Sequence, residues 1–100
     1  MILFFLVKDK MYSISQYTRS KAKRMGVDVR QSTRKGKKID VFKNGKKVAS
    51  IGALGYDDFT SYSKKNKSLA KERQRLYRIR HSKDSKKRGS PGYYAFHLLW

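Results

Sequence analysis

The dipeptide Asn44-Gly45 constrains this chain more than any other feature. It lies between Ile39-Asp40-Val41-Phe42-Lys43 and Lys46-Lys47-Val48-Ala49-Ser50-Ile51. Asn-Gly accepts the two positive φ angles of a type I′ turn, whose twist matches that of an antiparallel hairpin. A two-residue loop predicts Lys43 opposite Lys46, Val41 opposite Val48 and Ile39 opposite Ser50. Phe42, Ala49 and Ile51 then point the other way, so both faces carry apolar groups and both are expected to be partly covered. Upstream, Val27-Asp28-Val29 alternates like a short strand, and Arg34-Lys35-Gly36-Lys37-Lys38 forms a basic loop. Downstream, Gly52-Ala53-Leu54-Gly55 reads as a turn. It lacks the remaining residues of a phosphate-binding loop.

Helical patterns flank the hairpin. Ser13 is placed to cap a helix running through Met25, with Ile14, Tyr17, Lys21 and Met25 on one side and Gly26 as its stop. A longer helix is predicted from about Tyr62 to His81, where neither Gly nor Pro interrupts good helix formers. Leu69, Arg73, Leu76 and Arg80 share one face of it, flanked by Ala70 and Tyr77. Ser82 to Gly89 is a basic linker, and Ser90-Pro91-Gly92 reads as a turn. The last eight residues run Tyr93-Tyr94-Ala95-Phe96-His97-Leu98-Leu99-Trp100. Left in water, such a cluster invites association. Tyr93, Tyr94, Phe96, Leu98, Leu99 and Trp100 are therefore expected to pack, with Tyr77, against the hairpin or the long helix. The fold class is α+β: an N-terminal helix, a small antiparallel hairpin or three-stranded sheet, a long basic helix, and an aromatic C-terminal tail packed back on the domain.

A chain of 100 residues suits one small domain. Met1-Ile2-Leu3-Phe4-Phe5-Leu6-Val7 is oily, and the composition turns polar and basic after it. Seven residues fall far short of the roughly 20 that span a bilayer as a helix. The basic start and small-residue cleavage site of a signal peptide are also missing. The segment reads either as a buried strand or apolar extension, or as residues upstream of a true start at Met11. The division is thus an apolar extension over 1–10 and a single basic domain over 11–100.

Charge decides the expected partner. Lys and Arg number 26 against seven Asp and Glu, giving a net charge of +19. Such an excess draws anions from a distance. Residues 64–88 alone hold 12 of the cations and only Glu72 and Asp84 as acids. Neutralising phosphates with Lys and Arg releases counterions and drives association. The expected contacts are Lys35, Lys37, Lys38, Lys46, Lys47, Lys71, Arg73, Arg75, Arg78, Arg80, Lys86, Lys87 and Arg88. The expected partner is nucleic acid bound without sequence preference, DNA ahead of RNA. The alternative is an acidic protein surface, met by the same cations and anchored by exposed aromatics. Nothing points to an enzyme, a metal or a cofactor. His81 and His97 lack the spacing of a metal pair, and Asp57-Asp58 reads better as a helix-start pair near a positive N-terminus than as hard ligands. The absence of cysteine rules out disulfides and thiolate sites and fits a reducing, intracellular compartment.

Three stretches carry a resemblance: Lys37 to Val48 with its sequel Gly52-Ala53-Leu54-Gly55-Tyr56, Arg75 to His81, and Gly89 to Ala95 ending in Leu98-Leu99-Trp100. Together they resemble a family of short basic proteins of unassigned function encoded by large DNA viruses of algae and protists. The likeness spans about Met11 to Trp100. It implies a host-cell or virion setting, with either genome condensation or a minor capsid or scaffold role binding acidic proteins. It supplies no catalytic residues.

Overall fold

The computed structural model describes residues 12–100, so the expectations for Met1–Val7 and for a start at Met11 lie outside the described residues. The hairpin forms as β2 (Lys37–Lys43) and β3 (Lys46–Ala53) around a turn with positive φ at Asn44 and Gly45. Lys43 pairs with Lys46 as expected, and Phe42 with Lys47. Beyond that the register departs from the simple ladder: Val41 faces Ala49 and Ile39 faces Ile51, not Val48 and Ser50. Val48 is the extra residue of a bulge, and a one-residue slip exchanges the faces of everything beyond it. The slip gathers Ile39, Val41, Ala49 and Ile51 into the core and leaves Val48 38% exposed. β1 (Asp28–Gln31) pairs antiparallel with the other edge of β2, setting Val29 opposite Val41. On the outer face Phe42 is half-buried beneath the Arg30 guanidinium, 4.3 Å from the ring centroid.

α1 (Gln16–Met25) is capped by Ser15 rather than Ser13, the Ser15 side chain accepting from the Thr18 N–H. Gly26 closes it with φ 73°, its N–H reaching the carbonyls of Ala22 and Lys23. The buried positions are Thr18 and Ala22, not the Tyr17 and Lys21 stripe. Both are small enough for a close approach, and the Thr18 hydroxyl donates to the Leu98 carbonyl at 2.9 Å.

The expected long helix forms, but it starts later than Tyr62 because a separate short helix precedes it. α2 (Phe59–Lys65) and α3 (Lys67–Arg80) are divided at Asn66, which is extended at φ −165°, ψ 117°. Asn competes for the backbone inside helices and favours caps. Here its side chain accepts from the Leu69 N–H at 3.0 Å and starts α3. Asp58 starts α2 through a reciprocal box with Ser61. A 3-10 turn (Asp84–Lys86) follows α3. Ser90-Pro91-Gly92, expected as a turn, is a helix start: Ser90 caps α4 (Pro91–Leu98) and Pro91 takes a first-turn position where no N–H is needed.

α4 organises the core. Tyr94, Leu98 and Leu99 join Ala22, Val27, Val29, Ile39, Val41, Ala49 and Ile51 in one buried cluster. The tail therefore folds back as expected, but as a helix. Each large apolar side chain so buried contributes roughly 1.5–3 kcal/mol. Gly52 lets β3 approach: at its φ of 75°, a Cβ would stand 2.9 Å from both Leu99 Cδ1 and Lys38 Cδ. The packing side of α3 runs through Ala70, Gln74, Tyr77 and His81, whereas Leu69 and Arg73 are exposed. Tyr77 stacks on Trp100 with centroids 4.5 Å apart and planes 10° from parallel. The Trp100 main-chain oxygen accepts from Tyr17, Gln74 and Arg78 at 2.9, 2.7 and 3.0 Å, tying the tail to α1 and α3.

Candidate functional site

The acids decide which cations remain available. Asp58 sits at the centre of a buried group. It accepts from Lys38 Nζ at 3.1 Å, the Tyr12 hydroxyl at 2.7 Å and the Ser61 N–H at 3.0 Å. Lys38 and Asp58 side chains are only 5% and 2% exposed. Lys38 also donates to the Tyr56 carbonyl at 2.5 Å. Burial, and then the Asp58 carboxylate beside it, push the Tyr12 hydroxyl well above the ordinary phenol range.

Asp40, central in the sheet, accepts from the Ser32 and Ser50 hydroxyls at 2.6 Å each and from the Thr33 N–H at 3.1 Å, with Lys47 Nζ at 3.4 Å. Burial alone would raise its pKa. The hydrogen bonds from Ser32, Ser50 and Thr33, and then Lys47, outweigh burial and hold the carboxyl below the usual range. Asp57 pairs with Lys65 at 3.1 Å and accepts from Ser61, and both bonds lower its pKa. Glu72 pairs with Arg75, and Asp84 lies 3.0 Å from His81 Nδ1. Among the described residues, every acidic side chain except Asp28 is engaged in this way.

Lys38, expected as a phosphate contact, is thus removed from the surface. Its charge is spent on Asp58. Arg78, also expected as a phosphate contact, is half-buried, donates to the Trp100 main-chain oxygen and packs over the Phe96 ring at 5.1 Å. Lys47 and Arg75 are exposed but already paired with Asp40 and Glu72. Lys35, Lys46, Lys71, Arg73, Arg80, Lys86, Lys87 and Arg88 are exposed without an acidic partner among the described residues, and Lys37 is half-exposed. The expected single basic face over 64–88 is divided. At about 100° per residue, Arg73 and Arg80 fall on one flank of α3 and Lys71 on the other, with the Tyr77 packing side between them. Lys86, Lys87 and Arg88 follow on the loop leading into α4. Arg19, Lys23 and Arg24 on the open side of α1 and Arg34 in the β1–β2 loop add exposed cations that segment-wise charge counting passed over.

Tyr94, Phe96, Leu98 and Leu99 are buried, and Tyr77, Tyr93 and Trp100 half-buried. They are packing residues. No group of three or more potential metal ligands occurs among the described residues, and no described helix is long and apolar enough to cross a membrane. No family model, curated protein or solved structure matches the chain.

Proposed function

We propose that this protein binds nucleic acid without sequence preference, through phosphate contacts spread over several sides of the domain, with DNA ahead of RNA as partner. One observation carries the proposal: among the described residues every acid but Asp28 already has a partner within the fold, and a larger number of exposed cations is left without one. Phosphate contacts from Lys71, Arg73, Arg80, Lys86, Lys87 and Arg88 require no pocket and no catalytic geometry. The burial of Tyr94, Phe96, Leu98 and Leu99 leaves few anchors for an acidic protein partner and favours phosphate over a protein surface. The viral resemblance extends the proposal to condensation of a viral genome.

A salt titration of DNA binding tests it. The logarithm of affinity should fall linearly with the logarithm of salt concentration. The combined Lys86→Gln, Lys87→Gln and Arg88→Gln variant should flatten that slope by up to about 0.9 per lost duplex contact. A salt-independent affinity, or no binding to either duplex or single-stranded DNA at low salt, refutes the proposal.

A further inference from the structure

A cleft of about 360 Å³ opens where the end of β3, the start of α2, α3 and the last residues of the tail meet. That size is within the roughly 300–1,000 Å³ of small-ligand sites. Its lining includes Tyr56, Asp57, Tyr77, Arg80, His81 and Trp100. Gly52 also lines it. The His81 ring stacks on Tyr77 at 4.2 Å, and Tyr77 on Trp100 at 4.5 Å. Three rings thus form one column along the cleft. Tyr56, also in the lining, is 76% exposed, the most open of the large hydrophobic residues among those described. A tyrosine left this open has ring surface available to a partner.

The polar groups around the cleft are graded in charge. Asp57 and Asp58 are neutralised by Lys65 and Lys38, so they do not repel an anion as free carboxylates would. Arg80 is exposed with no acidic partner among the described residues. The open Tyr56 ring, the edges of the aromatic column and a free guanidinium together suit a flat heterocycle joined to a phosphate. A base paired in a duplex cannot present its face to such a cleft, whereas an unpaired base can.

We propose that this cleft takes an unpaired base of a single-stranded nucleic acid, with Tyr56 and the His81–Tyr77–Trp100 column as aromatic contacts and Arg80 holding the adjoining phosphate. This rests on the nucleic-acid function proposed above and adds a preference for single strands over duplexes.

Trp100 is the sole tryptophan of the chain, so its fluorescence reports on the cleft directly. The full chain is titrated at low salt with an oligodeoxythymidylate of about 10 nucleotides, within the range of single-strand site sizes, and with a duplex of equal length. The single strand should quench Trp100 and bind about tenfold more tightly than the duplex, as expected for one stacked base. Tyr56→Ala should abolish most of that preference while leaving duplex affinity and the melting temperature unchanged. Single strands that bind without altering Trp100 fluorescence, or that bind Tyr56→Ala as they bind the parent, overturn the cleft assignment and leave the phosphate-binding proposal standing. Failure of both single strands and duplexes to bind overturns both.

Discussion

Asp58→Asn removes one charge, and its amide nitrogen takes the place of the oxygen that accepts from Lys38 and the Tyr12 hydroxyl. The amide keeps an oxygen that can accept from the Ser61 N–H, so the start of α2 survives. What is lost is the partner of Lys38, whose side chain is 5% exposed and sits 3.1 Å from the carboxylate. Lys38 must then remain charged in a poorly solvated position, lose its proton or move out to water. Breaking a buried ion pair on one side costs about 3–5 kcal/mol. A chain of this size has a total stability of roughly 5–15 kcal/mol, so the variant would lose a large part of it. At about 4–8 °C per kcal/mol for a small domain, the melting temperature should fall by at least about 12 °C. Urea denaturation gives the free energy directly, with an unchanged m-value showing that the native state is otherwise intact. Lys38→Met then completes a double-variant cycle. Replacing both members of a buried pair is often far milder than breaking it from one side, so the double variant should be more stable than the two single losses summed, by about 1–3 kcal/mol. A loss below about 1 kcal/mol for Asp58→Asn, or strict additivity in the cycle, would refute the reasoning and show that the pair is well solvated.

Gly52→Ala combines a positive φ with a Cβ 2.9 Å from Leu99 Cδ1 and Lys38 Cδ; it should destabilise the domain by about 1–3 kcal/mol, measured by the same denaturation, while Gly55→Ala, whose Cβ would meet nothing within 4 Å, costs less. Asp40 is held below the usual carboxylate range in the folded state, so its contribution is present above the unfolded value of about 4 and fades as pH falls through the folded one. Asp40→Asn should therefore be less stable than the parent at pH 7, by about 1.5–3 kcal/mol for lost bonds to a charged group, and the gap measured in urea should narrow when acidified. A gap that stays constant or widens would contradict that sign.

Local signals were legible in the sequence because local chemistry sets them. Asn44-Gly45 dictates its turn through φ alone, Gly26 ends its helix for the same reason, and the chain-wide excess of Lys and Arg needs no structure to be seen. The aromatic tail had to be buried somewhere, since no soluble surface leaves that much apolar area exposed without a partner. Yet local signals also sat unread: Asn66 as a double cap and Ser90-Pro91 as a helix start are both spelled in residue types. Tertiary structure decided the rest. The bulge at Val48 cannot be read from alternation, because either register gives the hairpin some apolar pairs, Val41–Val48 in one and Val41–Ala49 with Ile39–Ile51 in the other; covering by α4 and α1 selects the one that puts Ile39, Val41, Ala49 and Ile51 on a single face. The fate of each charge is equally non-local. Lys38 and Asp58 are 20 positions apart, and Arg78 reaches a main-chain oxygen 22 positions away. Sequence counts cations one by one. Only the packed chain sets Lys38 and Arg78 to internal work and leaves Arg73, Arg80 and Lys86–Arg88 to the solvent, because partnership is a property of distance in space and not of distance along the chain.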